Sequence, residues 1–120
     1  APPLRERCVE ADEVAATARG VAERAGVARF TQAYQSAGRT PEPWIGPDLA
    51  HVIDEQSATV RRFLVVPIGF MCDHTEILFD IDVLGARIAR EFATSLRRTE
   101  SLNTSPLFVD LLEQLVRARL

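Results

Sequence analysis

Residues 63–82, Phe-Leu-Val-Val-Pro-Ile-Gly-Phe-Met-Cys-Asp-His-Thr-Glu-Ile-Leu-Phe-Asp-Ile-Asp, decide how this chain is read. Phe63 to Ile68 is an unbroken apolar run rich in β-branched residues, the pattern of a parallel strand buried on both faces. Gly69-Phe70 turns the chain, and Asp73-His74-Thr75-Glu76 opens a helix that continues through Ile77, Leu78, Ile81, Leu84 and Ile88. Open α/β sheets bind ligands at the carboxyl ends of their strands. An imidazole and several carboxylates therefore fall where such a fold keeps its chemistry.

On the N-terminal side, Val14, Ala18, Val21, Ala22 and Ala25 mark an amphipathic helix, and Gly26 stands where its C′ residue belongs. Ala28 to Gln35 reads as a buried strand carrying Phe30 and Tyr34. Ser36 to Pro47 is a structured loop with three prolines and two glycines around Trp44. Asp48 caps a second helix with Leu49, Val52 and Ile53 on one face. On the C-terminal side, Leu96 to Thr99 forms a third strand. Ser105-Pro106 then starts a last helix striped by Phe108, Leu111, Leu112, Leu115 and Val116.

The order is α-β-α-β-α-β-α, an α/β domain with a parallel sheet of three or four strands and helices on both faces. Three strands make a thin sheet, and a fourth is expected ahead of Ala1. The 120 residues suffice for one core, so residues 1–120 read as a single domain, incomplete at its N-terminus.

A net charge of −3 argues against a nucleic-acid surface. Every basic residue is arginine, which reads as a bacterial coding bias. Cys8 and Cys72 match no metal or redox spacing and are expected to be reduced thiols. With no apolar run of membrane-spanning length, the expectation is a soluble cytoplasmic protein.

Among chemical candidates Glu76 comes first, yet Asp73 and Glu76 have capping-box spacing, so Glu76 could simply close a helix start. Asp80 lies one turn on; it belongs either to a solvated acidic face or to a ladder passing cations along. His74 could accept protons or bind metal, or it could fix the loop through backbone hydrogen bonds. Trp44 could anchor its loop or wall a flat ligand. Gln35 and Ser36 end the first strand at the ligand edge, and Arg39 could meet an anionic group. His51 receives no role.

The segment Pro67-Ile68-Gly69-Phe70 followed by Asp73-His74-Thr75-Glu76 and Leu78-Phe79 resembles the ferrochelatase family. So do Tyr34-Gln35-Ser36, Pro43-Trp44-Ile45-Gly46-Pro47 and the run from Arg98 to Phe108, in the same order. Members of that family are much longer, so the chain resembles the C-terminal, chelatase-like half of a two-lobed enzyme. The resemblance implies insertion of Fe²⁺ into a porphyrin, with Glu76 and His74 catalytic and Glu76, His74 and Asp80 handling the metal. Gln35, Ser36, Trp44, Phe70 and Arg39 would contact the porphyrin.

The resemblance also implies that no organic cofactor is needed. Some relatives hold a [2Fe–2S] cluster on cysteines beyond the last helix, and none is expected here. The family's acid ladder continues four residues past Asp80, where this chain has Leu84, so an outer metal site is not implied. The partnering histidine of the family matches neither His51 nor His74. Residues 1–120 alone are therefore expected to be inactive, awaiting an N-terminal lobe or a second copy. A small homodimeric chelatase and a non-catalytic tetrapyrrole-binding module remain as alternatives.

Overall fold

A computed structural model describes residues 9–35, 41 and 43–120. Helix α1 spans Val9–Ala25. It ends as its sequence requires: Gly26 takes φ +70°, and the N–H groups of Val27 and Gly26 donate to the carbonyls of Ala22 and Glu23. Helix α2, Leu49–Gln56, is capped by the Asp48 carboxylate, which accepts the N–H of His51 at 2.8 Å. Leu49, Val52 and Ile53 form its buried face, as their spacing predicts.

Strand β1 is Arg62–Val65 and strand β2 is Ser95–Arg98, paired in parallel with Phe63 opposite Leu96 and Val65 opposite Arg98. β1 stops before Pro67, which has no N–H to give a ladder. The two form the only sheet among the described residues, so the expected three or four strands are corrected to two. Residues 28–35 do not join it. The N–H of Tyr34 donates instead to the carbonyl of Pro47, a loop-to-loop bond, and Phe30 is exposed.

The core lies on one side of this sheet. Ile53 and Ala89 are fully buried and Leu49 nearly so, with Phe63, Val65, Ile88 and Leu96 packed against them. The expected burial of β1 on both faces is also corrected, since Leu64 and Val66 on its other face are exposed. α2 and α3 (Ala86–Glu91) both pack on the Phe63–Val65 side. Helix α4, Pro106–Arg117, opens at Ser105-Pro106 as expected, but no residue of it is buried. Its Leu111, Leu112, Leu115 and Val116 are exposed.

The helix expected from Asp73 onward is the largest local departure. Glu76–Gly85 winds as a π-helix of ten residues before becoming α3. Its buried positions, Ile77, Ile81 and Gly85, and then Ala89 in α3, recur every four residues. Twelve residues are about three and a third α-helical turns, which would carry Ala89 a third of a turn off the face of Ile77. The wider π winding keeps the stripe together and leaves Leu78 exposed.

Candidate functional site

The loop after β1 and the loop after β2 lie side by side, because their strands are parallel and adjacent. Gly69 takes φ +104°, a conformation open to glycine, and lets the first loop turn away from the strand. The second loop then holds the first. Asn103 accepts the N–H of Asp73 at its Oδ1 (2.9 Å) and donates its own N–H to the carbonyl of Met71 (2.8 Å).

The Asp73 carboxylate faces the same loop. Oδ1 accepts from Ser101 Oγ at 2.8 Å and from Arg98 Nη1 at 3.2 Å, and Oδ2 accepts from Asn103 Nδ2 at 3.4 Å. The Ser101 hydrogen bond, then those of Asn103 and the Arg98 charge, hold this carboxyl below the usual aspartate range.

Arg98 ends β2 and reaches in a second direction. Its Nε and Nη2 meet both oxygens of Asp82 at 2.6 and 2.8 Å, and Nη1 also bonds the carbonyl of Thr99. The Arg98 side chain is only 12% exposed, against 37% for Asp82. This fork depresses the Asp82 carboxyl and raises the guanidinium in turn. Sequence reasoning assigned Asp82, Arg98, Ser101 and Asn103 no place in the site and saw Asp73 only as a helix cap. The available signal was the position of residues 98–103 at the carboxyl end of the neighbouring parallel strand.

These contacts bear on the two readings of Glu76. The N–H that a capping box would give to Glu76 is that of Asp73, and Asn103 already accepts it. The capping box does not form, and Thr75 at the helix start makes no side-chain cap either. The Glu76 side chain is exposed and makes no hydrogen bond or ion pair among the described residues. Its backbone N–H donates to His74 Nδ1 at 3.2 Å.

His74 is half-buried, with the Phe70 ring edge-on to it at 4.1 Å between centroids. Its Nε2 is buried and has no partner among the described residues. An imidazole accepting at Nδ1 carries its neutral proton on Nε2, so it donates there and offers no lone pair. Ligation of a metal through Nε2 would require the Glu76 N–H to let go. Asp80 follows one turn later, half-buried. No group of three or more His, Cys, Asp or Glu among the described residues is arranged as a resident metal cage.

The expected porphyrin contacts divide between two places. Phe70 stands beside His74, exposed. Gln35 and Trp44 lie ahead of α2: Gln35 Oε1 accepts the N–H of Leu49 at 2.9 Å, and Trp44 is half-buried, its Nε1 without a partner among the described residues. Ser36 and Arg39 lie outside the described residues, as does Cys8. Cys72 is an exposed free thiol. No helix among the described residues is long and apolar enough to cross a membrane.

Comparison with known proteins now gives the arrangement a context. The family model described as ferrochelatase matches residues 9–120. The ferrochelatase of Deinococcus radiodurans is 42% identical over 119 residues, covering 97% of this chain and 38% of that protein. The ferrochelatase of Herpetosiphon aurantiacus is 43% identical over 88% of the chain and 35% of its own length. The coproporphyrin III ferrochelatase of Geobacillus thermodenitrificans is 43% identical over 87% of the chain and 34% of its own length. The chain thus spans about a third of the length of the curated relatives it matches.

Proposed function

The chain belongs to the ferrochelatase family, and from that premise we propose that it forms part of an enzyme inserting Fe²⁺ into a porphyrin during haem biosynthesis. One observation carries the reading. Glu76 presents a carboxylate that is used neither as a helix cap nor in an ion pair among the described residues, at the carboxyl end of a parallel strand.

In the reaction two pyrrole N–H bonds give up protons, and four ring nitrogens take the ferrous ion. Glu76 accepts protons and guides the metal to the ring. Oxygen donors suit this transfer, because they bind ferrous iron loosely enough to release it. His74 sets the direction of Glu76 through the 3.2 Å bond to its N–H and presents an Nε2 donor. Asp80, one turn along, passes cations toward or away from Glu76.

Phe70 offers an exposed apolar edge to the macrocycle. Trp44 and Gln35, with Ser36 and Arg39, are the candidates for the remaining porphyrin contacts. The opposite wall comes from the part of the family's length that residues 1–120 do not span. The exposed faces of β1 and α4 support that need for cover. The bacterial relatives and the free thiol of Cys72 support a reducing, cytoplasmic setting.

The test is anaerobic metal insertion, followed by loss of porphyrin fluorescence, with protoporphyrin IX and coproporphyrin III as acceptors. The intact natural polypeptide is expected to insert iron, and residues 1–120 alone are expected to do no better than the uncatalysed reaction. An intact polypeptide that binds porphyrin without metallating it would instead be a tetrapyrrole-binding module. Turnover by residues 1–120 as a dimer would identify a small homodimeric chelatase.

A further inference from the structure

A π-helix of ten residues is unusual, since this winding ordinarily appears as single-turn bulges within α-helices. Something outside the segment must hold it open. One anchor is steric: a Cβ on Gly85 would stand 3.1 Å from Leu49 Cδ2 and 3.3 Å from the carbonyl oxygen of Asp80. The other is a single guanidinium. Arg98 takes both oxygens of Asp82, near the far end of the π-helix, and also bonds Asp73, three residues before its start.

The two ends of the Asp73–Asp82 segment are therefore tied to one rigid, planar group at the end of β2. Asp82 lies six positions after Glu76, so the angle between them about the helix axis depends on how many residues fill a turn. If the segment tightened into an α-helix, Asp82 and the His74–Glu76 end could not both keep their present directions. Asp82 would swing off Arg98, or Glu76 would leave the His74 Nδ1 that accepts its N–H at 3.2 Å.

We propose that Arg98, by clamping Asp82 and Asp73 together, selects the π winding of Glu76–Gly85 and is thereby a positioning residue for Glu76 and Asp80. The winding stands on the geometry alone. Only its consequence for metal insertion rests on the function proposed above.

The test uses the intact natural polypeptide and two variants, Arg98→Lys and Asp82→Asn. Lysine keeps the charge but loses the fork; asparagine keeps the shape of Asp82 and loses its charge, and it reports even if Arg98→Lys fails to fold. Couplings through hydrogen bonds, measured by NMR, identify the carbonyls that accept the Ala86 N–H, which are shared between Ile81, five residues back, and Val83, three back.

In the variants this pairing is expected to move to Asp82, four residues back, while amide exchange in α1 and α2 stays unchanged. Turnover should fall by about 10- to 100-fold with the KM for porphyrin unaltered, as displacement of a reacting group by about 1 Å would produce. Retention of the Ile81 pairing in both variants would overturn the clamp. A shifted pairing with full turnover would overturn the positioning role. A wild-type polypeptide without any insertion activity would instead refute the proposed reaction, and the NMR result would still decide the winding.

Discussion

The backbone N–H of Glu76 points at Nδ1 of His74 across 3.2 Å, so the imidazole holds the first residue of the π-helix rather than standing free beside it. The bond sets the tautomer, with the neutral proton on a buried Nε2. Histidine and glutamate thus form one unit with separate tasks. The imidazole holds the Glu76 backbone, and the carboxylate remains exposed, free to accept protons in the reaction proposed above.

Glu76→Gln keeps the shape of the side chain and removes a base. In the intact polypeptide it should lower metal insertion by about 10²–10⁴-fold, the range of a general acid–base group. Porphyrin affinity and melting temperature should hold, because the carboxylate bonds no described residue. Near-normal turnover would remove Glu76 from the chemistry.

Asp80→Asn tests the cation ladder. A lost charge at this half-buried position should raise the iron concentration needed for half-maximal rate severalfold while leaving the KM for porphyrin alone. Fold stability should change by no more than about 1 kcal/mol. Metal dependence indistinguishable from wild type would confine Asp80 to helix structure.

Acid should loosen the clamp before the core. Asp73 is depressed first by the Ser101 hydrogen bond, and Asp82 first by Arg98. A depressed carboxyl adds stability that is complete above its unfolded value, about 3.9, and is lost as pH falls through the lower folded value. Urea unfolding from about pH 5 down to pH 2 should therefore show a steeper acid loss in wild type than in an Asp73→Asn, Asp82→Asn double variant. Parallel curves would mean that the network contributes nothing to folding.

Ala93 terminates α3 with φ +54°, while Ala93 and Thr94 give their N–H groups to the carbonyls of Arg90 and Ala89. Left-handed backbone costs an alanine roughly 1–2 kcal/mol. Ala93→Gly removes that cost and adds about 0.4–1 kcal/mol of unfolded-state entropy, so the strain term wins. The variant should be more stable by roughly 0.5–1 kcal/mol in thermal or urea unfolding. A lower melting temperature would show that the Ala93 methyl contributes packing.

Much of the local plan was legible because local rules governed it. The cap at Asp48, the glycine after α1 and the Ser105-Pro106 start each depend on a few neighbouring residues, and each forms where its pattern stands. β1 and β2 were legible for the same reason, as short apolar or mixed runs between turn signals. Residues 28–35 carry a similar signal and do not become a strand, because a strand is completed by its neighbours and Tyr34 spends its N–H on Pro47.

By itself, then, the sequence determined the end of α1, the starts of α2 and α4, the parallel pairing of two α/β units and the placing of Asp73, His74 and Glu76 at the carboxyl end of β1. These follow from side-chain periodicity and capping chemistry, which act over a few residues. Only the tertiary structure decided that Asp73 turns toward Ser101, Asn103 and Arg98, that no capping box absorbs Glu76, and that the helix winds as π. Those outcomes depend on Arg98 meeting Asp73 and Asp82 from 25 and 16 residues away. No local pattern encodes such a contact, because it exists only after the parallel strands have brought the two loops together.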